Sequence, residues 1–404
     1  MIACITKGKA NGVFIAPPSK SMAHRYLICA GLSKGKSIIK NIALSNDILA
    51  TINCLEQIGA RCIIEGDAVT VYGADLNEIK ENTKLNCNES GSTLRFFIPL
   101  LLLCNKTVQI TGSDYLFSRP LNIYAEICDK QGMLFSKQNN VLTLKGVLQS
   151  GKYEIDGSIS SQFVSGLLFV LPLLNGDSTI KLLPPVESRS YINMTVAALK
   201  VFGVDISYSD QNTLYIKGNQ TYTATDFIVE GDYSNAAFFG ALNTLGAKID
   251  LKGLDTETLQ GDSVFFKYAK ALENGYCSLD VTDCPDIAPV LVTLAAALNG
   301  AELTGTKRLK IKESDRGKAI AEELSKLGAD ITVFENKIIV NKTELHKPSE
   351  ILNGHNDHRI VMSLAVLLTK FSGKINGCEA VNKSFPDFFD KLSSLGIEVK
   401  FNDK

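Results

Sequence analysis

One short pattern occurs six times along this chain: an amphipathic helical stretch, then a glycine, then a stretch that alternates like a strand. The six glycines that mark the copies are Gly59, Gly132, Gly203, Gly246, Gly328 and Gly396. They lie roughly 70 residues apart, with one shorter and one longer interval, which is too long a period for a common solenoid. A glycine at such a junction typically takes the left-handed conformation that ends a helix. The pattern therefore predicts six duplicated α/β units.

The length of the chain indicates how these units are grouped. A chain of 404 residues is long enough for two or more domains, and two domains of three units each fit it well. No low-complexity linker marks the border. We expect the chain to cross between domains near Glu230–Asp232, where a strand ends after three copies.

Charge and cysteine usage exclude several classes of protein. Basic and acidic residues balance at 42 and 43, so no global field attracts nucleic acid or an acidic membrane, and any anion site must be local. The longest apolar runs, such as 96–104 and 166–174, are roughly half of a membrane span. The ten cysteines contain no C-x-x-C pair, and residues 1–8 lack the build of a signal peptide. We expect a cytoplasmic protein.

The segment Ala16–Arg25 carries the clearest chemical signal. Two prolines lead into a helix that Ser19 or Ser21 caps, and Lys20 and Arg25 lie in its first turns. Free backbone N–H groups, a hydroxyl and two cations then meet at one helix N-terminus, which suits phosphate or carboxylate. An ordinary capped surface helix explains this segment equally well by itself.

A second glycine-rich segment nearby is a misleading match. Residues 30–37 nearly fit a phosphate-binding P-loop, with alanine at the first glycine position. A P-loop follows a strand and precedes a helix, whereas here a helical stretch precedes and a strand-like stretch follows. We interpret it as a helix-ending turn.

Similar polar starts recur before other predicted helices. Each has an ordinary explanation when taken alone: a capped core helix, a capping carboxylate at Asp286, a solvated run of charges or a structural histidine. Their repetition favours a common purpose, since parallel helices would turn their positive ends toward one place. The segments are 89–95, 118–120, 156–163, 188–191, 282–289, 308–316, 356–359 and 383–387.

Taken in order, these motifs closely resemble the 5-enolpyruvylshikimate-3-phosphate synthase family (3-phosphoshikimate 1-carboxyvinyltransferases), which are enolpyruvyl transferases. The resemblance covers essentially the whole chain. It includes Pro18–Arg25, Gly91 in its turn, Arg119-Pro120, Ser160-Ser161-Gln162, Ser188 to Tyr191, Val229–Asp232, Gln260–Asp262, Pro285-Asp286, Lys312–Arg316, Asn356–Arg359 and Lys383–Asp387.

The resemblance implies a fold and a reaction. The fold is an α/β, two-domain inside-out barrel of six βαβαββ units, with residues 15–230 as one domain and 1–14 with 231–404 as the other. The first would mainly hold shikimate 3-phosphate and the second would complete the phosphoenolpyruvate site. The substrates together carry a charge of about −5 to −6, which local cations must balance. The family implies no cofactor and no metal, and we expect a monomer without nucleic-acid or membrane partners.

The resemblance also implies residue roles. Phosphoenolpyruvate would be held by Lys20, Arg119, Arg316, Arg359 and Lys383, with Gly91 and Gln162 beside it. Shikimate 3-phosphate would be held by Ser21, Arg25, Ser160, Ser161, Ser188, Tyr191, Asp286 and Lys312. Asp286 and Glu313 would exchange the protons, with Lys20 sharing this work.

Two departures and two alternatives remain open at this point. Glu89 stands where many members have asparagine, and Arg308 where asparagine often lies near the substrate phosphate. The sister enolpyruvyl transferase that acts on UDP-N-acetylglucosamine shares the repeat, but it typically carries a cysteine in a loop that here, at residues 112–120, has none. A non-catalytic phosphometabolite-binding protein would usually lose Lys20, Asp286 or Glu313.

Overall fold

The computed structural model describes residues 1–402, and the chain within it forms two compact units. The middle unit spans Pro18–Glu230, and the terminal unit combines Met1–Pro17 with the chain from Gly231 onward. Ile15, Ala16 and Pro17 belong to the terminal unit rather than to the expected 15–230 domain. The reason is backbone pairing, because the Ala16 N–H donates to Lys252 O at 2.9 Å.

The middle unit contains seven helices and twelve strands. The terminal unit supplies the first two strands of the chain, β1 (Ile2–Ile5) and β2 (Asn11–Ile15). The helices of the middle unit are α1 (Lys20–Leu32), α2 (Asn46–Gln57), α3 (Gly91–Leu101), α4 (Asp114–Ser118), α5 (Asn122–Lys130), α6 (Ser161–Val170) and α7 (Arg189–Val201). Its strands are β3 (Lys36–Lys40), β4 (Arg61–Glu65), β5 (Ala68–Tyr72), β6 (Lys84–Asn86), β7 (Val108–Thr111), β8 (Leu134–Gln138), β9 (Val141–Lys145), β10 (Lys152–Asp156), β11 (Ser178–Leu183), β12 (Ile206–Asp210), β13 (Thr213–Ile216) and β14 (Phe227–Ile228).

The terminal unit continues with six helices and eight strands. The helices are α8 (Tyr233–Thr244), α9 (Phe265–Asn274), α10 (Ala288–Ala297), α11 (Arg316–Ser325), α12 (His358–Phe371) and α13 (Phe388–Ser394). The strands are β15 (Lys248–Lys252), β16 (Cys277–Asp280), β17 (Ala301–Thr304), β18 (Asp330–Val333), β19 (Lys337–Asn341), β20 (Leu352–Asn353), β21 (Gly373–Asn376) and β22 (Val399–Asn402).

Each unit contains three sheets with a common plan. In the middle unit their strand orders are β14-β3-β5-β4, β6-β7-β9-β8 and β10-β11-β13-β12. In every one the first pair is parallel and the other two pairs are antiparallel. A parallel pair needs a crossover, which a helix supplies, and an antiparallel pair needs only a short turn. The expected α/β fold of repeated units is confirmed.

The third sheet of the terminal unit corrects one detail of the sixfold expectation. Two of its sheets, β16-β17-β19-β18 and β20-β21-β1-β22, follow the common plan, but the third consists of β15 and β2 alone, paired in parallel. The strand after the glycine enters an antiparallel pair in five copies, whereas β15 after Gly246 enters a parallel one. The fourth copy therefore occupies a different place in its unit.

The glycine junctions behave as the sequence predicts. All six have positive φ, from 66° at Gly132 to 106° at Gly59. A side chain carrying Cβ is disfavoured there, so glycine ends each helix and releases the chain into the next strand.

Each unit buries its own apolar core, formed by residues 22–229 in the middle unit and by 3–16 with 236–397 in the terminal one. Among residues 1–402, no helix combines the length and apolarity that crossing a membrane would take. The P-loop-like segment lies between α1 and β3, in the order helix, turn, strand. All ten cysteines are free thiols.

Candidate active site

The N-terminus of α1 presents Lys20 in a fixed position. Ser19 caps this helix, its Oγ accepting from the Met22 N–H at 3.4 Å, so Ser19 rather than Ser21 is the cap. The Lys20 Nζ donates to Asp47 Oδ2 on α2 at 2.8 Å, and both side chains are largely buried. A largely buried ammonium at a helix N-terminus favours the binding of an anionic ligand.

Arg25, one turn further along α1, ties that helix to α7. Its Nε donates to Thr195 Oγ1 at 2.9 Å and its Nη2 to Tyr191 O at 2.9 Å, while Nη1 donates to Ser21 O at 2.6 Å. The side chain is buried and its guanidinium lies over the Phe96 ring. These contacts gather Ser21, Arg25 and Tyr191, three of the residues expected to hold shikimate 3-phosphate.

The turn before α3 brings together the residues expected beside phosphoenolpyruvate. Arg95 Nη1 donates to Gln162 Oε1 at 2.9 Å, and Gln162 Nε2 donates to Ser92 Oγ at 3.0 Å. A Cβ added at Gly91 would lie only 2.5 Å from Arg119 Nη1. The absent side chain at Gly91 is therefore what leaves room for the Arg119 guanidinium.

A chain of buried hydroxyls links the same turn to α1. His24 Nδ1 lies 2.8 Å from Thr51 Oγ1, which lies 2.7 Å from Thr93 Oγ1, which donates to Ser90 Oγ at 2.6 Å. Ser90 caps α3 by accepting from the Thr93 N–H at 3.2 Å. Burial holds the pKa of His24 well below its usual value, so the imidazole is neutral and orients these hydroxyls without adding charge.

The serines expected to bind shikimate 3-phosphate begin the neighbouring helices. Ser160 caps α6, its Oγ accepting from the Gln162 N–H at 3.3 Å, and Ser161 is the first residue of that helix. Ser188 precedes α7 with a left-handed φ of 54° and makes no capping bond with its side chain. Hydroxyls at helix starts face the same ligands as the free N–H groups there.

In the terminal unit, three cations surround Asp286. Its carboxylate accepts from Arg316 Nη1 at 2.8 Å and from Lys312 Nζ at 3.2 Å, and Arg359 Nη2 lies 3.5 Å away. Asp286 is not the cap of α10, because that helix begins after Ile287 and has no side-chain capping bond. The ordinary explanation for this carboxylate, a helix cap, is therefore wrong.

Arg316 is the hub of this cluster. Besides Asp286, it donates from Nη2 to Glu313 Oε2 at 2.6 Å and from Nε to Asp357 Oδ2 at 2.9 Å, and it is only 1% exposed. Asp357 in turn caps α12 by accepting from the Arg359 N–H at 2.9 Å. One arginine thus fixes both candidate acid–base carboxylates and the start of the helix that carries Arg359.

The cluster sets the protonation states of its members. Burial alone would raise the pKa of Asp286, but Lys312 and Arg316 outweigh burial and hold the pKa well below its usual range. Burial lowers the pKa of Lys312, against the pull of Asp286 in the other direction. Asp286 is therefore ionised at neutral pH.

Two further cations lie in the terminal unit. Lys383 donates from Nζ to Asn356 O at 2.6 Å, next to Asp357. Arg308, one of the departures from the family pattern, is buried, and its charge contributes to lowering the pKa of Lys312, after burial and the charge of Arg316. The departure therefore adds a cation close to Lys312.

Asp262, which stands in the motif Gln260–Asp262 but had no role assigned to it, is a buried carboxyl close to Asp286. Burial, and then the charge of Asp286, raise the pKa of Asp262 to about 7 from an ordinary 3.8. Its Oδ2 accepts a hydrogen bond from Ser234 Oγ. The folded protein therefore holds a proton that the unfolded chain releases between these two pH values, so the contribution of Asp262 to stability falls as pH rises across that range.

We expect the Asp262→Asn variant to lack this dependence, since an amide of the same shape cannot ionise. Its thermal unfolding midpoint relative to the parent should be higher at pH 8 than at pH 5 by several degrees, since the roughly two pH units between pH 5 and a pKa of about 7 correspond to about 2–3 kcal/mol. Calorimetry at both pH values measures this. An identical difference at pH 5 and pH 8 would contradict the role of Asp262.

Some residues of these clusters were missed by the sequence reasoning. Asp47 and Arg95 are the partners of Lys20 and Gln162, and Asp357 is the buried partner of Arg316. Asp357 stands inside a quoted motif, and a carboxylate just before a polar helix start was the available signal. Asp47 gave no signal, and Arg95 ended the segment 89–95 with nothing to indicate its partner, because these contacts depend on how α1, α2, α3 and α6 pack.

The chain is similar to known proteins over its whole length. The EPSP synthase (3-phosphoshikimate 1-carboxyvinyltransferase) family matches residues 5–392. The 3-phosphoshikimate 1-carboxyvinyltransferase of Clostridium beijerinckii is 40% identical, covering 97% of each chain, and that of Clostridium perfringens is 40% identical over 98% of each.

Solved structures show the same fold. An EPSP synthase from Acinetobacter baumannii superposes with a TM-score of 0.77 at 23% identity, covering 99% of this chain and all of the other. The enolpyruvyl transferase NikO from Streptomyces tendae gives 0.76 at 14% identity, covering 99% and 98% of the two chains.

Proposed function

Since this chain belongs to the EPSP synthase family, we propose which of its residues bind the two substrates and move the protons. The enzyme transfers the enolpyruvyl group of phosphoenolpyruvate to the 5-hydroxyl of shikimate 3-phosphate and releases phosphate, in the shikimate pathway. The sister reaction on UDP-N-acetylglucosamine is not favoured by these relatives. The observation that carries the proposal is the Asp286 carboxylate among its three cations.

In this proposal, five cations bind phosphoenolpyruvate. Its phosphate and carboxylate carry charges that charge-assisted hydrogen bonds satisfy best. Each proposed cation is already held in place by its own neighbours, which lowers the entropy lost on binding. The set is Lys20, Arg119, Arg316, Arg359 and Lys383, with Gly91 and Gln162 beside the ligand.

Shikimate 3-phosphate is bound mainly by hydroxyls and helix starts of the middle unit. Four serines supply hydroxyls, and Arg25, locked between α1 and α7, supplies a cation for the phosphate or carboxylate. From the terminal unit, Asp286 and Lys312 complete the set, which otherwise comprises Ser21, Arg25, Ser160, Ser161, Ser188 and Tyr191.

The proton transfers fall to Asp286 and Glu313. In the addition, the 5-hydroxyl oxygen bonds to C2 of phosphoenolpyruvate, its proton passes to a base, and an acid protonates the methylene carbon. In the elimination, the methyl group loses a proton and phosphate leaves, restoring the double bond. Asp286 begins ionised, so it suits the base for the hydroxyl, and Glu313 serves the carbon, with Lys20 sharing the proton work.

Phosphate release tests the assignment directly. With shikimate 3-phosphate and phosphoenolpyruvate together, a coupled phosphate assay should give steady turnover, and either substrate alone should give none. Replacing shikimate 3-phosphate with UDP-N-acetylglucosamine should also give none. Release with the nucleotide sugar instead would transfer the assignment to the sister reaction.

We also propose that the enzyme acts as a monomer in the cytoplasm. Ten free thiols suit a reducing compartment, and the balanced charge gives no field toward membranes or nucleic acid. Light scattering coupled to size exclusion should give a mass near the 43.8 kDa of one chain. Twice that mass would refute the monomer.

The Gly91→Ala variant should weaken phosphoenolpyruvate binding. The new methyl would lie 2.5 Å from Arg119 Nη1 and 3.0 Å from Arg95 Nη1, so Arg119 must move. Losing a good charge-assisted hydrogen bond corresponds to about a tenfold rise or more in the KM for phosphoenolpyruvate. Steady-state kinetics at saturating shikimate 3-phosphate measures this.

The matched control is Gly317→Ala. There the added methyl meets Ile338 and Val333 at 3.4 and 3.5 Å, which is ordinary contact. Its KM for phosphoenolpyruvate should equal that of the parent. If Gly91→Ala also leaves this KM unchanged, Arg119 does not bind phosphoenolpyruvate from the position described.

A further inference from the structure

Glu323, on α11, is a fully buried carboxylate that the reaction scheme does not use. Its Oε2 accepts from the Asn353 N–H at 2.8 Å, and its Oε1 accepts from His355 Nε2–H at 2.8 Å. Lys326, on the same helix, donates from Nζ to both oxygens at 3.0 and 3.1 Å. Glu323 therefore joins α11 to the turn that follows β20.

That turn, residues 353–357, has an unfavourable backbone conformation. His355 and Asn356 are consecutive non-glycine residues with φ of 49° and 51°. Such residues persist in the left-handed region only where their surroundings hold them. Here the Asn353 Oδ1 accepts from the His355 N–H at 2.9 Å, and Glu323 holds the ring of His355.

The same turn ends among the cations assigned to phosphoenolpyruvate. Asn356 O accepts from Lys383 Nζ at 2.6 Å. The next residue, Asp357, accepts from Arg316 Nε at 2.9 Å and caps the helix of Arg359. A shift of this turn would therefore move the partners of three cations at once.

We propose that Glu323 and His355 are positioning residues: their hydrogen bond fixes the turn 353–357, and the turn fixes Lys383, Arg316 and Arg359 for binding phosphoenolpyruvate. This inference rests on the proposed function, because it concerns the same cations. In this proposal neither Glu323 nor His355 is assigned to a substrate, and both act through Asn356 and Asp357.

A metal ion is the competing use of this cluster. Glu322, Glu323 and His355 offer ligand atoms within 4.8 Å of one another. The ammonium of Lys326, however, lies 3.0 Å from Glu323 and supplies the positive charge that a metal would bring. The arrangement is satisfied without a metal, and chelation provides the check.

His355 makes its hydrogen bond with Glu323 sensitive to pH. The charged groups that face it are Glu323, Glu322 and Lys326, and Lys326 also lies 3.9 Å from Glu350. The hydrogen bond to Glu323 raises the pKa of His355 above its usual 6.5, against the opposing effect of burial. The ion pair between protonated His355 and Glu323 is fully formed below pH 6.5, the usual pKa of histidine. It weakens as the pH rises through the raised pKa of His355.

Two variants of His355 test the proposal. His355→Asn tolerates the left-handed backbone but is too short to reach Glu323. We expect its KM for phosphoenolpyruvate to rise about tenfold, since a hydrogen bond to a charged group is lost. Its KM for shikimate 3-phosphate should stay within about twofold of the parent. His355→Gln, which keeps a donor, should recover most of the affinity.

The pH profile separates positioning from simple stability. Phosphoenolpyruvate itself titrates near pH 6, so each KM is compared with that of His355→Gln at the same pH. The KM of the parent for phosphoenolpyruvate, divided by that of His355→Gln, should rise from pH 6 to pH 8.5. The control His346→Ala removes an exposed histidine from the loop that precedes β20. Its KM ratio should change with pH as that of the parent does.

Several results would overturn the proposal. One is a KM for phosphoenolpyruvate in His355→Asn within about twofold of the parent, and another is an equal rise for both substrates. A rise in the parent's KM on adding EDTA would assign the cluster to a metal instead. If the parent gives no turnover with the two substrates, the proposed function is wrong. If the parent turns over and His355→Asn has an unchanged KM for phosphoenolpyruvate, only the positioning role of His355 is wrong.

Discussion

The Asp286→Ala variant should lose turnover by a factor of about 10² to 10⁴ while still binding shikimate 3-phosphate. Asp286 is held ionised by Lys312 and Arg316, and it is the acceptor proposed for the 5-hydroxyl proton. Most of the groups proposed to bind shikimate 3-phosphate lie in the middle unit and are unchanged by the substitution. Phosphate release gives kcat, and calorimetric titration gives the binding.

Asp286→Asn distinguishes proton transfer from organisation of the cations. The amide keeps the shape and one acceptor toward Arg316, but it cannot take a proton at neutral pH. Turnover should therefore stay low in both variants. The control is Asp283→Asn, an exposed carboxylate on the same loop, which should keep full turnover. If Asp286→Asn restores turnover, Asp286 only organises its neighbours.

Much of the fold follows from the sequence because the repeat has a local cause. Each glycine at a helix end requires a left-handed backbone, and all six adopt it, from Gly59 to Gly396. What the pattern does not contain is the pairing of the strand that follows. Beside Gly246 the strand β15 pairs in parallel with β2, which lies far away in the chain. Long-range pairing of this kind depends on packing that no local window records.

The residues of the candidate site could likewise be predicted only in part from the sequence. Residues at helix starts were identifiable because polar groups before an apolar run are a local signal, as at Lys20 and Asp357. Glu323 and His355 lacked such a signal, and Asp262 was visible only as part of the motif Gln260–Asp262. A buried carboxylate within a helix or a short turn resembles any surface charge in sequence, and only its neighbours in space make it distinctive.

Arg316→Met should destabilise the protein by about 3–5 kcal/mol, the cost typical of removing one partner of a buried ion pair. Arg316 is 1% exposed and serves three carboxylates, of which Asp357 is fully buried. Methionine fills a similar volume but removes the cation that the three carboxylates share. Denaturant unfolding at pH 8 measures the loss, and activity should be lost as well, since Arg316 is assigned to phosphoenolpyruvate.

The dependence on pH identifies the cause of that loss. Without Arg316, Asp286 loses one of the cations that hold its pKa well below the usual range, so this carboxylate takes up a proton more readily as pH falls. The difference in unfolding free energy between Arg316→Met and the parent should therefore shrink from pH 8 to pH 5. Lys318→Met is the matched control, because this lysine of the same helix is 73% exposed. Its Nζ lies 3.8 Å from Asp315 Oδ2, so it forms a weak surface ion pair. A loss as large in the control, or one independent of pH in Arg316→Met, would mean that lost packing rather than the unpaired carboxylates destabilises the variant.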